Sequence, residues 1–483
     1  MWHDDKLALA RPEPDLERLL TQLNTEHANF FTPDQPVLVA RAPGRLDLMG
    51  GIADYSGALV LEMPLAVATM AAVQLDSHPT ITVCSTAASD LAGQTVVQLA
   101  LAALQEQNQP LSYQAAQTLL TSDPTTAWAA YVFGVLVVLQ HERQLKIVQG
   151  LRIMIHCEVP IGKGVSSSAA LEVAVMQALN ELYQLHLTGR ELAILCQKVE
   201  NLVVGAPCGV MDQMTSACGE ANSLLALLCQ PAELQAMVPL PEDVEIWGID
   251  SGVRHAVVGA DYGSVRIGAF MGYRIIAALC DYPTTQTGKH IEIADPHWQG
   301  YLANITPSVW EIHYRERLPL TMTGAAFLEN YGGSTDHVTH IDPQRTYAIR
   351  QPTAHPIYEH QRVRLFRALL QQPASSEEQL TLLGELMYAS HVSYSNCGLG
   401  SSGTDRLVEL IRAAGPISGL YGAKITGGGS GGTVAILARQ HTGDRIAEIS
   451  QCYEQETGLK TTILRGSSPG ASTWGIRTLH HTR

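Results

Sequence analysis

The stretch Val159-Pro160-Ile161-Gly162-Lys163-Gly164-Val165-Ser166-Ser167-Ser168-Ala169-Ala170-Leu171 begins as a Pro/Gly loop and ends as a helix, whose apolar spacing continues through Val173, Met176 and Leu179. Gly162 and Gly164 carry no Cβ, so backbone amides there can approach a ligand closely. Ser166, Ser167 and Ser168 fall on the cap and first turn, where free N–H groups and the positive end of the helix dipole attract an anion. Lys163 adds a point charge. The loop suits the phosphates of a nucleotide, with one serine hydroxyl left for a metal ion. A serine-capped helix with a flexible lead-in is the plain alternative. A Walker A loop is excluded, because no Gly-Lys-Ser/Thr follows a four-residue gap.

The 483 residues suffice for two domains of ordinary size. A hydrophobic content of 46% with 16% charged residues describes a soluble globular protein with a large core. The net charge of −15, with no lysine or arginine block, argues against nucleic acid or an anionic membrane as partner. The nine cysteines include no C-x-x-C pair and suggest neither zinc nor a disulfide framework, so a cytoplasmic location is expected. The N-terminus lacks the apolar core of a signal peptide. The longest apolar run, Ala127 to Leu139, is too short to span a bilayer and reads as a buried helix.

Upstream of the loop, Leu16, Leu19, Leu20 and Leu23 predict a helix over Pro14 to Phe31, stopped by Pro33 and Pro36. Val37 to Ala40 reads as a short strand leading into Arg41-Ala42-Pro43-Gly44-Arg45-Leu46-Asp47-Leu48-Met49-Gly50-Gly51-Ile52-Ala53-Asp54-Tyr55. Turn-rich connectors seldom carry both arginines and carboxylates on apolar flanks, so this density points to a site. Val60 to Thr86 reads as strands of one sheet, Leu151 to Cys157 as the strand feeding the loop, and Arg190 to Val204 as an amphipathic helix. Asp212 follows the Gly/Pro loop that starts at Gly205, and alone it reads as a helix cap.

Pro239-Leu240-Pro241 places a boundary near 240, dividing the chain into domains 1–240 and 241–483. Residues 281–355 form a weakly periodic insertion without derivable chemistry, and its His337 and His340 are assigned no metal. Glu359 to Leu370 and Glu377 to Ser390 predict helices. Gly427, Gly429 and Gly432 satisfy G-x-G-x-x-G, but Thr433 to Leu437 is a β-branched strand where a dinucleotide site needs a helix. The dehydrogenase reading falls.

The phosphate-type loop resembles the second motif of the GHMP kinases, Pro-x-x-x-Gly-Leu-Ser-Ser-Ser-Ala, with Val165 in place of Leu. The Arg41–Tyr55 stretch resembles the galactokinase signature Gly-Arg-x-Asn-Leu-Ile-Gly-Glu-His-Thr-Asp-Tyr at Gly44, Arg45, Leu48, Gly50, Asp54 and Tyr55. Asp47 replaces its Asn, and Gly51 and Ile52 replace its Glu-His pair. Glu200, Pro207, Cys208, Gly209, Met211, Asp212 and Gln213 match Glu-x6-Pro-Cys-Gly-Ile-Met-Asp-Gln, and Tyr421 to Leu437 resembles the third GHMP motif. The resemblance runs from about residue 36 to 475 and is closest to the kinase part of plant L-arabinokinases.

The resemblance implies two α+β domains with the active site in the cleft between them. It implies transfer of the ATP γ-phosphoryl group to the anomeric hydroxyl of a monosaccharide, with Mg²⁺. Asp212 would orient or deprotonate the sugar O1, and Arg45 would pair with it and stabilise the transferring group. Ser168 and Glu200 would hold the metal. Gly162, Lys163, Gly164, Ser166, Ser167 and Ser168 would bind phosphates, Trp128 and Tyr131 the adenine, and Gly428 and Gly429 would fold against the nucleotide from the second domain. Asp54, Gly51, Ile52, Gly209 and Tyr262 would meet the sugar, although one extra residue between Tyr262 and Arg266 weakens the match for the tyrosine. Loss of the Glu-His pair implies L-arabinose, which lacks the hydroxymethyl group of galactose. Another acceptor, such as galactose or glucuronic acid, and a non-catalytic sugar sensor are the alternatives.

Overall fold

The strand carrying the charged signature is longer than its apolar run predicts: it spans Val37–Met49 instead of ending at Ala40. Register slips between Pro43 and Arg45 and between Asp47 and Met49 absorb the irregular residues, as bulges do beside functional sites. Charged residues usually mark loops. Here Arg45 and Asp47 stay in the sheet because each finds a counter-charge, Asp212 for the first and the buried Lys424 for the second.

The computed structural model describes residues 1–4, 13–85, 93–107, 109–253, 262–288, 290–372 and 376–482. Arg254, His255 and Asp261, part of the sequence motif before Tyr262, lie outside the described residues. The signature strand belongs to a ten-stranded sheet whose main path runs Trp2–Asp4, Ile476–His481, Val37–Met49, Leu59–Asp76, Gly150–Cys157, Thr80–Ser85 and Val96–Ala100. Along it only the pairing of Thr80–Ser85 with Gly150–Cys157 is parallel. Leu59–Asp76 forks, its start pairing with Ser223–Leu228 and its end with Gly150–Cys157.

The period of two sorts the core. Ala40, Ala42, Ala71, Val73, Ile153 and Ile155 pack with the helices Ala130–Glu142, Ser167–Leu182, Gly189–Lys198 and Met211–Cys218. The alternate residues Val39, Met70, Ala72 and Met154 pack under the N-terminal helix. That helix is Pro14–Asn24, shorter than predicted, because the Asn24 amide closes on both backbone groups of Trp2 at 2.7 and 3.0 Å.

A second, antiparallel sheet runs Leu420–Ile425, Thr433–Arg439, Val244–Asp250 and Thr462–Arg465. The chain changes sheet close to residue 240, between Val238–Pro239 and Val244–Asp250. A linear 241–483 unit nonetheless needs correction, because Ile476–His481 returns to the first sheet. The predicted helix over 190–204 is an α-helix to Lys198 followed by a wider π-type turn, Val199–Val204, that carries Glu200. Such turns recur at functional sites.

Two helices exceed their predicted bounds. Arg350–Leu370 takes in Pro352 and Pro356, and Glu377–Asn396 runs beyond Ser390 and so delivers Tyr394. The 281–355 segment folds into two short antiparallel strand pairs, the second enclosing the helix Gly324–Tyr331, with Trp310, Phe327 and Tyr347 packed on Tyr273 and Ile276. No helix among the described residues is long and apolar enough to cross a membrane.

Candidate active site

Arg45 projects from the signature strand and ties three elements together. Its Nε and Nη2 reach Asp212 Oδ1 at 2.9 and 2.7 Å, and its Nη1 donates to the Gly164 carbonyl at 2.7 Å. The Arg45 amide also donates to the Val165 carbonyl at 3.1 Å. Burial opposes the guanidinium charge, but the carboxylates of Asp212, Glu62 and Asp47 outweigh it and raise the group above its ordinary value. Asp212 sits in the first turn of Met211–Cys218, its side chain 23% exposed against 3% for Arg45. The pair therefore presents a carboxylate to the cleft from a rigid, buried mount.

The phosphate-type loop has the conformation its glycines allow. Gly162 and Gly164 have φ of +71° and +73°, and a Cβ on Gly162 would meet nothing within 4 Å. Ser166 is also left-handed at +61°, with a buried hydroxyl that has no partner among the described residues. Ser167 opens the helix Ser167–Leu182. An orphaned hydroxyl beside open glycines and a helix start is a suitable cradle for phosphate oxygens.

Lys163 differs from expectation. Its ammonium pairs with Asp250 at 2.8 Å and its carbonyl accepts from Thr433 Oγ1 at 2.8 Å, so it ties the loop to the second sheet. The third glycine run forms a hairpin turn before Thr433–Arg439, as the strand reading required. Cβ atoms on Gly427 and Gly432 would lie 2.7 Å from the Gly164 and Lys163 carbonyls. Gly429 is packed on Leu399, whereas a Cβ on Gly428 would meet only Tyr262 within 4 Å among the described residues, at 3.8 Å.

Ser168 stands close enough to Glu200 for its side chain to favour the Glu200 charge. Burial first, and then the charge of Asp212, push Glu200 up to about 7. Glu172 was not anticipated. It lies 3.4 Å from Gln213 Nε2, which also donates to Glu200 at 2.7 Å, and burial followed by the Glu200 charge raises it well above the usual range. Among the described residues no three His, Cys, Asp or Glu side chains form a complete metal cage. A hydroxyl with crowded carboxyls fits a hard ion such as Mg²⁺ that takes its remaining oxygens from phosphate and water.

Asp54 is raised in the same way to about 7, by burial and then by Asp212. The two raised carboxyls bind protons more tightly folded than unfolded. Their stabilising contribution is full below the ordinary carboxylate range and lost as pH rises through about 7. We therefore expect the melting temperature of the ligand-free protein to fall between about pH 5 and pH 8, and Glu200→Gln to flatten that fall. Apparent Mg²⁺ affinity, read from activity against metal concentration, should weaken below about pH 7 as Glu200 gains a proton. A Mg²⁺ dependence unchanged in both Ser168→Ala and Glu200→Gln would remove these residues from the metal site.

On the sugar side, Asp54 rests on Gly209, where a Cβ would lie 1.6 Å from Asp54 Oδ2. Gly209 thus provides room for the carboxyl. Tyr262 stands between Gly428 and Tyr55, 5.7 Å from the Tyr55 ring, and burial followed by the Asp54 charge raises its hydroxyl pKa well above the ordinary value.

Gly51 is where the sequence reading needs correction. The space it leaves is filled, because a Cβ there would lie 1.6 Å from the Tyr394 hydroxyl. That hydroxyl donates to the Gly427 carbonyl at 3.1 Å and accepts from the Ile52 amide at 2.9 Å. Ile52, 1% exposed, packs on Val265, Tyr394, Cys397, Leu399 and Ile425. Behind it, Lys424 Nζ reaches Asp47 Oδ2 at 2.7 Å, both side chains fully buried. Asp47 at the Asn position was the available signal for a cation nearby.

The nucleotide-base assignments are less closely gathered. The Trp128 indole donates to the Gln94 carbonyl at 3.0 Å, while burial and then the charges of Glu200 and Glu172 raise the Tyr131 hydroxyl.

The chain that carries this site is similar to known proteins. The GHMP kinases N terminal domain matches residues 130–220, the GHMP kinases C terminal domain 366–454, and the galactokinase galactose-binding signature 25–75. An L-arabinokinase of Arabidopsis thaliana is 43% identical over 97% of this chain and 49% of its own length, so the chain spans about half of that relative. A galactokinase of Chloroflexus aurantiacus is 30% identical over 91% of this chain and 94% of its own. The structure of Lactococcus lactis galactokinase complexed with galactose superposes with a TM-score of 0.70 at 22% identity, covering 94% of this chain and 99% of that one. The chain belongs to the GHMP kinase family. Within it, the chain is a sugar kinase of the galactokinase and L-arabinokinase type.

Proposed function

We propose that the chain transfers the γ-phosphoryl group of ATP to the anomeric hydroxyl of L-arabinose, giving L-arabinose 1-phosphate. The observation that carries the chemistry is the Arg45–Asp212 pair, mounted within hydrogen-bond reach of the phosphate-type loop. Arg45 holds Asp212 through Oδ1, which leaves Oδ2 to take the proton of a sugar hydroxyl. Arg45 also fixes the loop carbonyl at Gly164, and positioning of this kind supplies most of the catalysis in phosphoryl transfer. Ser168 and Glu200 would hold Mg²⁺, which neutralises phosphate charge when bound. Asp54 would meet ring hydroxyls, with Tyr262 alongside.

The choice of pentose rests on the wall at Gly51 and Ile52. The Tyr394 hydroxyl excludes a longer side chain at 51 and is already engaged by Ile52, Gly427 and Asp47, the last at 3.4 Å. It has little left to offer a hydroxymethyl group. A galactose hydroxyl buried there without a partner would cost about 1–3 kcal/mol. The identity with an L-arabinokinase supports the same substrate, while the galactokinase relatives keep galactose as the second reading. We expect kcat/KM for L-arabinose to exceed that for D-galactose by about ten- to a hundredfold. Equal or reversed values would remove the substrate assignment and leave the kinase reading intact.

A further inference from the structure

The 281–355 segment carries no recognisable motif, yet one of its carboxylates reaches the back of the sugar side. Asp336 is 3% exposed and accepts from Arg266 Nε at 2.8 Å, Arg266 Nη2 at 2.7 Å, the Val338 amide at 3.1 Å and the Thr339 hydroxyl at 2.5 Å. Burial opposes its charge, but Arg266 and the Thr339 and Val338 bonds hold it below the usual carboxylate range. Arg266 turns its other faces to the site. Its Nη1 donates to the Cys208 carbonyl at 3.1 Å, and its guanidinium carbon lies 5.5 Å from the ring centre of Tyr55.

Those two contacts fall on the two chain segments that bring carboxylates to the cleft. Cys208 immediately precedes Gly209 on the turn into Asp212, and Tyr55 immediately follows Asp54. The helix Tyr262–Leu279 is drawn onto the segment and its flank: a Cβ on Gly268 would lie 2.1 Å from the Ala348 carbonyl, and one on Gly272 1.7 Å from Thr353 Oγ1.

We propose that the 281–355 segment braces the sugar side of the cleft, with Asp336 as the positioning residue that holds Arg266 against the Cys208 carbonyl and the Tyr55 ring. A buried guanidinium needs a counter-charge. Without Asp336, Arg266 loses both of its charge-assisted bonds, and Asp54 is the carboxylate left among the groups that favour its charge. The brace thus fixes the turn that carries Asp212. The kinetic consequence rests on the sugar-kinase reading, and the structural consequence does not.

The test compares the parent with Asp336→Asn by amide hydrogen exchange and by steady-state kinetics with L-arabinose and D-galactose. Exchange should quicken at amides 205–212 and stay unchanged in the core strand 150–157. The sugar KM should rise about ten- to a hundredfold, the scale of a small misplacement in an active site, with the ATP KM held within about twofold. If Asp336→Asn fails to fold, Thr339→Val, which removes one bond to the same carboxylate, should shift the same quantities by less. A folded variant with unchanged exchange at 205–212 overturns the brace, and so does an equal rise in both KM values. If the parent phosphorylates neither sugar, the substrate reading fails, and the exchange pattern alone decides the brace.

Discussion

Asp212→Asn is expected to keep the fold and ATP binding while losing about 10²–10⁴ in kcat, the scale of a positioned acid or base. The amide has nearly the carboxylate's shape. Its oxygen can still accept from Arg45 Nε and Nη2 where Oδ1 stands now, at 2.9 and 2.7 Å, so the mount survives. What is lost is an oxygen able to take a proton. Arg45 keeps its bond to the Gly164 carbonyl, so the nucleotide side is untouched and the ATP dissociation constant should hold. Turnover by coupled assay and ATP affinity by calorimetry check the two halves separately. Turnover within a few-fold of the parent would show that Asp212 is not the group that handles the sugar proton.

The second large effect concerns stability. Lys424→Met should destabilise the protein by about 3–5 kcal/mol, because it leaves the Asp47 carboxylate buried without its counter-charge. For a domain of this size that corresponds to a fall of roughly 6–20 °C in melting temperature. Tyr394 and the Gly51 amide, at 3.4 and 3.0 Å from Asp47, soften the loss without supplying charge. Glu62 sharpens it. That carboxyl stands opposite Asp47 in the sheet and 3.3 Å from Arg45, and burial followed by the Asp47 charge keeps it well above the usual range. Adding Asp47→Asn to Lys424→Met should recover most of the stability, since breaking one half of a buried pair costs more than removing both. A double variant as unstable as Lys424→Met alone would place the cost elsewhere.

The parts of the fold legible in the sequence were those governed by period and by local backbone chemistry. The spacing after Ser168 identified the helix Ser167–Leu182, and the β-branched run after Gly432 identified a hairpin in place of a dinucleotide turn. What stayed hidden depended on contacts distant in sequence. The signature strand continues through Arg45 and Asp47 only because Asp212 and Lys424 arrive from elsewhere. That Tyr394 fills the space beside Gly51 was hidden, because most of the chain separates the two residues. Asp336 gave no signal, and Arg266 only as the residue that closes the motif begun at Tyr262, because their meaning is the pair. Asp54, Asp212 and Glu200 were named through the resemblance of their segments to family motifs, since Asp212 alone reads as a helix cap.

Product analysis tests the central claim most directly. The purified chain would be incubated with ATP, Mg²⁺ and L-arabinose, and the product examined by phosphorus–proton coupled NMR. The account predicts one phosphorus coupled to the anomeric proton, formed in step with ADP and lost in Asp212→Asn. Phosphate on any other carbon, or ADP released with free inorganic phosphate and unchanged sugar, would contradict it.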